Sequence, residues 1–307
     1  MSVPNTNAID PEKWGVSFSL KQCRNMGIDP KDCLRWLLDQ GWRRFRVMSY
    51  WNEHEKEQGS YDFRELDWQI RMVEKTGGSV TLCLGVKQPR WPEYHWPKWA
   101  QDISGEARAA ALLEYIDVTV KHVRKYKNIM SYQLENEALL SNFGELIDID
   151  NDRLKREYEH IQLLDPERPI AMSTSNGWGV PLIGPIPDMV GFSVYTVMYQ
   201  KGAYHQTIQR PWLHRFRKRL IWLIWRKPVF IHELQCEPWG PEGIWKMSRE
   251  EQAKSMDVAR IRQNIAWAKS INAYPIDLWG SEWWYWRNQQ DGKANKAIWD
   301  AVKKSLK

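Results

Sequence analysis

Glu135, Asn136 and Glu137 stand together in "SYQLENEALL" (131–140), directly after an apolar run. A further acid, Glu233, closes another apolar run in "PVFIHEL" (228–234). A lone glutamate in such a place is ordinarily a solvated loop carboxylate. Two of them held across a cleft do specific chemistry. One, protonated, delivers its proton to a leaving oxygen. The other, ionised, attacks or stabilises an oxocarbenium-like carbon, which is what cleavage of a glycosidic bond requires. Strand alternation leaves Glu135 and Glu137 as rivals for the acid, because residues two apart share a face.

These side chains act together only if the fold brings them to one surface. Apolar runs with β-branched residues alternate along the chain with longer amphipathic runs. Strands are predicted at 14–20, 44–50, 79–86, 129–137, 168–175, 189–199, 228–234 and 274–280. Helices are predicted between them. The one at 29–41 has Asp29 as N-cap, Pro30 at its first position and Gly41 past its end. A long one at 248–271 opens on a capping box, Ser248 with Glu251. The Gly/Pro-rich "NGWGVPLIGPIP" (176–187) carries only a weak helix signal. Eight strands in unbroken alternation with helices predict a single (β/α)8 barrel domain over 1–307. Active sites of such barrels lie at the C-terminal ends of the strands, where Glu135, Glu137 and Glu233 all fall.

The strand ends carry a family likeness. "QLENE" at strand four and "PVFIHEL" at strand seven resemble the retaining glycoside hydrolases of clan A, nearest in pattern to the family 5 cellulases and mannanases. Strand four of those barrels ends in Asn-Glu and strand seven in Glu. The resemblance implies that Glu137 is the acid/base, Glu233 the nucleophile and Asn136 a ligand of the sugar 2-hydroxyl. It also implies that Arg46, in "RFRVMSYW", sits beside the nucleophile and keeps it ionised. Tyr195, in "GFSVYTVMY", matches a tyrosine that hydrogen-bonds the nucleophile, although the family's His-x-Tyr reads Ser193-Val194-Tyr195 here. Trp279, in "DLWGSEWWYW", matches the tryptophan that floors the sugar site.

Further residues are expected near the cleft. The loop "KQPRWPEYHWPKW" (87–99) offers Trp91, His95, Trp96 and Trp99, as outward aromatic faces for a sugar or as the loop's own packing. Trp51, in "YWNEHEKEQGSYDF" (50–63), is read as mainly structural but within reach of substrate. Glu237 and Glu282 lie near strand ends and are placed to bind hydroxyls.

Composition narrows the alternatives. The chain is 27% charged and 43% hydrophobic, ordinary globular material. It holds 20 Trp against 7 Phe, suited to stacking on sugar rings and to filling a core. Its net charge is +6, yet residues 201–232 contain eight Lys and Arg and no Asp or Glu. The rest of the chain is therefore slightly acidic, and no nucleic acid is expected as partner. The basic stretch 210–228 reads as a barrel helix, with Leu213, Phe216, Leu220 and Leu223 near one face. The competing reading is docking to an anionic membrane surface or a partner subunit.

Cys23, Cys33, Cys83 and Cys236 form no CxxC pair, and the N-terminal residues show no signal-peptide pattern. Reduced thiols in a cytoplasmic protein are expected. No phosphate-binding loop, HExxH, GxSxG or GxGxxG is present, so neither metal nor cofactor is called for. The expected activity is retaining hydrolysis or transglycosylation of an oligosaccharide or glycoside. The alternative is a catalytically idle barrel that binds carbohydrate or a partner.

Overall fold

The computed structural model describes residues 9–138, 140, 144–145, 151–174 and 184–307. Its strands are β1 (Trp14–Phe18), β2 (Arg44–Met48), β3 (Ser79–Leu84), β4 (Ile129–Leu134), β5 (Ile170–Thr174), β6 (Met189–Val194), β7 (Val197–Gln200), β8 (Ala203–Gln206), β9 (Val229–Gln235) and β10 (Ile276–Trp279). Eight of them close a parallel barrel in the order β1-β10-β9-β6-β5-β4-β3-β2. Each of the eight predicted strands overlaps one stave, with helices outside, so the architecture is the expected (β/α)8 barrel. The weakly signalled helix in 176–187 falls largely outside the described residues.

Local chemistry explains the boundaries. Asp29 accepts from the N–H groups of Lys31 (2.7 Å) and Asp32 (3.0 Å), starting the helix Pro30–Asp39. Two expectations are corrected. The sixth strand ends at Val194, not at 199, because Val197–Gln200 folds back on β8 as an antiparallel hairpin. Lys201 (φ 49) and Gly202 (φ 78) make its turn, the left-handed pair that suits a two-residue hairpin. The helix expected over 248–271 is two helices, Arg249–Ser255 and Val258–Ile271. Asp257 stays extended and accepts from Arg260 N–H at 2.7 Å, capping the second helix and ending the first.

Alternation divides the staves. Phe45 and Val47 of β2 are fully buried in the apolar layer, while Arg46 points into the barrel end. Several tryptophans are core. Trp42 stacks on Trp284 (6.1 Å) and Trp284 on Trp299 (6.0 Å), closing the barrel behind the last helices.

Candidate active site at the barrel mouth

β4 ends in a turn that separates the two rival acids. Glu135 (φ 49) and Glu137 (φ 46) both take the left-handed conformation, uncommon for non-glycine residues and concentrated at functional sites. The first such residue swings Glu135 back against β3. Its carboxylate accepts from the N–H groups of Val86 (3.0 Å) and Lys87, and Arg153 stands 3.6 Å away. Gly85 makes room, since a Cβ there would lie 2.5 Å from Glu135 Cδ. Arg153 also reaches Glu157 at 2.8 Å, so Glu135 belongs to a buried ionic cluster behind the mouth. Glu137 turns the other way. Its N–H donates to Ser173 Oγ at 2.7 Å, and its Oε1 accepts from the Ser193 hydroxyl of β6.

The β9 end is built on an extra residue. Phe192 pairs with Ile231 but Ser193 pairs with Glu233, and Ile276 pairs with Ile231 but Leu278 with Leu234. Both neighbouring staves thus skip one residue of β9, a β-bulge at His232. The bulge lets consecutive residues His232 and Glu233 both engage groups at the barrel end. Gly191 accommodates the imidazole, for a Cβ there would lie 2.6 Å from His232 Cδ2.

A continuous relay joins the two candidate carboxylates. Arg46 Nη2 donates to Glu233 Oε1, and Tyr195 donates to Oε2 at 2.8 Å. Arg46 Nη1 lies 2.5 Å from His232 Nδ1. A guanidinium only donates, so Nδ1 accepts and the ring proton sits on Nε2. Nε2 lies 3.2 Å from Ser193 Oγ and donates to it, and Ser193 in turn donates to Glu137. Burial holds His232 at about 3, so it stays neutral as this relay requires.

The two carboxyls are driven apart. Burial, and then the charge of Glu233, push Glu137 up to about 7, against the Ser193 hydrogen bond and the Lys87 charge. Burial also pushes Glu233 up, but the Arg46 charge and hydrogen bond and the Tyr195 hydroxyl outweigh it and hold Glu233 below the usual carboxylate value. A third carboxyl, Glu93, is buried and pushed up to about 8 by desolvation, against a hydrogen bond from Asn136.

The remaining sequence-predicted residues divide. Asn136 is at the mouth, but its Nδ2 donates to Glu93 Oε2 (3.1 Å) and its Oδ1 accepts from Gln133 (3.4 Å). Trp279 packs with Met48, Tyr50 and Cys83, with Tyr195 against them, and the Arg90 guanidinium lies 3.9 Å from its ring centroid. Trp91 is 56% exposed.

Three residues lie deeper than expected. Trp51 is fully buried, stacked on Tyr115 (5.5 Å) and donating Nε1 to Glu55, so it is core and not a substrate contact. His95 is buried against Tyr50 (4.3 Å) with Nε2 at the Arg90 carbonyl. Glu282 is buried, with Oε1 accepting from the Ser19 N–H and Oε2 from Arg90 (2.9 Å). Glu237 pairs with the same Arg90.

Sequence reasoning missed His232, Ser193, Glu93 and Arg90. Only Ser193 left a trace, as the departure from His-x-Tyr. A bulge has no sequence signature, and the aromatic residues of 87–99 drew attention from its charges. Among the described residues no group of three or more His, Cys, Asp or Glu is arranged to hold a metal ion.

The fold defined by these strands and helices is the (β/α)8 barrel, and glycoside hydrolases of that fold superpose on it. The exo-β-1,4-mannosidase Op5Man5 from Opitutaceae bacterium strain TAV5 superposes with a TM-score of 0.62 at 15% identity over 91% of this chain and 54% of that one. A glycosylated endo-β-1,4-xylanase of glycoside hydrolase family 10 from Gloeophyllum trabeum gives 0.65 at 13% identity, covering 97% of each chain. At the level of sequence, β-galactosidase 14 of Arabidopsis thaliana is 28% identical over 127 residues, 40% of this chain. The match spans 14% of that relative's length. No protein-family model matches the chain.

Proposed function

We propose that this protein is a retaining O-glycoside hydrolase acting on a β-linked oligosaccharide or glycoside. The observation that carries this reading is the opposed titration of Glu137 and Glu233 within one hydrogen-bonded relay. In the first step Glu233 attacks the anomeric carbon while Glu137 gives its proton to the departing glycosidic oxygen. The C–O bond breaks and a glycosyl ester of Glu233 forms. In the second step water attacks the same carbon, Glu137 takes the proton, and Glu233 leaves as carboxylate. Two inversions return the original anomeric configuration.

Arg46 and Tyr195 keep the nucleophile ionised and aimed. Ser193 fixes the Glu137 Oε1 lone pair, which directs the acid proton to Oε2. Asn136 and Trp91 are proposed sugar contacts, and Trp279 acts from beneath its Arg90 cover. The glycoside hydrolase neighbours support the same class.

Activated aryl β-glycosides, with the product anomer followed by NMR, test the reading. First-formed product of retained configuration is expected, and an inverted product rules out double displacement. Roles are separated by azide. Glu233→Ala with azide yields the inverted glycosyl azide, and Glu137→Ala yields the retained one. The opposite assignment exchanges the two results.

A further inference from the structure

The helix Pro211–Trp225 buries only part of its apolar surface. Its buried residues are Leu213, His214, Arg217 and Ile221, two of them ionisable. Arg217 reaches inward, 4.2 Å from the Phe192 ring centroid, and donates to Thr174 Oγ1 at 3.1 Å. Five apolar side chains face solvent: Trp212, Phe216, Trp222, Leu223 and Ile224 are all at least half exposed. Phe216 and Leu223 were expected on the inward face, and the structure reverses them. Trp212, Phe216 and Leu223, spaced four and then seven apart, form one outward stripe with Arg219 between. Six of the ten exposed large hydrophobic residues in the described structure lie on this helix or, with Ile208, on its lead-in. Such clustering marks an interaction surface.

Charge selects the occupant. The segment 201–232 carries eight cations and no carboxylate. Two copies meeting through this face would set like charge against like across an isologous contact. Arg215 and Lys218 donate to the carbonyls of Ser270 and Asn272, and Arg226 lies 4.1 Å from the Trp222 ring centroid. Lys227 pairs with Asp188 at 3.2 Å. Arg215, Lys218, Arg219 and Lys227 together line a groove of about 410 Å³ beside Trp222. Cations beside tryptophan and aliphatic side chains on one helix are the pattern of a surface that lies in a lipid interface. No helix among the described residues is long and apolar enough to cross a membrane.

We propose that the outer face of this helix docks on an anionic phospholipid bilayer. Trp212, Phe216 and Leu223 enter the headgroup boundary, and the groove receives a lipid phosphate. The face is independent of the barrel mouth, so this proposal stands or falls apart from the proposed hydrolase activity.

Co-flotation of the full chain with vesicles tests it. The protein is expected to float with phosphatidylcholine vesicles containing phosphatidylglycerol and to stay behind with phosphatidylcholine alone. Salt at about 1 M, where the screening length is about 3 Å, should release it. Arg215→Gln with Arg219→Gln should lower partitioning about 30-fold, each cation contributing about a factor of five. Trp212→Ser with Phe216→Ser should lower it about tenfold or more. Both pairs are exposed, and an unchanged circular dichroism spectrum and melting curve show that the fold is kept. Absence of flotation, or equal flotation with neutral vesicles, overturns the proposal. So does self-association without lipid that the same substitutions abolish, since that assigns the face to a second copy.

Discussion

The β9 side of the barrel mouth and its β4 side hold the same functional group in opposed surroundings. At β9, Glu233 meets a guanidinium, a phenol and a neutral imidazole, and it stays ionised. On the β4 side, Glu137 and Glu93 are buried near Lys87, and desolvation pushes both above the ordinary carboxylate range. Glu135, two residues from Glu137, shows a third outcome, locked to backbone N–H groups and near Arg153. Residue type therefore says little about role here. What differs is which charges and donors the strand ends bring within reach.

Substitution can break this contrast at each point. Glu233→Gln removes the ionised member and should cost about 10⁴-fold or more in kcat, the scale of losing a covalent nucleophile. Glu137→Gln removes the proton donor and should cost about 10²–10⁴-fold, least for substrates with a good leaving group. The same change carries a stability signature. The folded state holds the Glu137 proton up to about pH 7, whereas an exposed glutamate loses it near 4.5. Between those values the folded state binds more protons, so wild-type stability falls as pH rises through the window. Glu137→Gln should thus melt like wild type at low pH and at a higher temperature above pH 7. An equal difference at both ends would place the proton elsewhere.

Smaller changes sharpen the comparison. Ser193→Ala deletes a hydrogen bond that favours the ionised form of Glu137. The basic limb of kcat/KM should move upward by about one pH unit, the size of one charge-assisted hydrogen bond. A limb that does not move removes Ser193 from the relay. Glu135→Gln should have the least effect on catalysis. It weakens the cluster with Arg153 and should cost about 1–3 kcal/mol of stability, leaving both limbs of the pH profile where they were.

The fold was legible because each stave announces itself by an apolar run and each helix by its caps, as at Asp29 and Ser248. The strand-end acids were legible because position in such a barrel implies exposure at the mouth. The choice between Glu135 and Glu137 was not, since alternation fails once the chain leaves the strand through two left-handed residues. The loop 87–99 misled through its aromatics: its strongest contacts are ionic, Arg90 with Glu237 and Glu282. The helix Pro211–Trp225 misled because Leu213 and Ile221 turn inward with His214 and Arg217, while Phe216 and Leu223 face outward. Periodicity reports that a stripe exists and not which neighbour it meets.

The extra residue in β9 has a consequence for how the site tolerates change. In an extended strand every residue added or removed reverses all the faces beyond it. Deleting His232 would restore the register with β6 and β10 and leave Glu233 in the sequence, yet the strand that presents it would be one residue shorter. What is encoded at this position is a count as much as an identity. Point substitutions sample the identities freely, but the count changes only by insertion or deletion. This stave is therefore far more sensitive to a single-codon indel than its bland apolar sequence suggests.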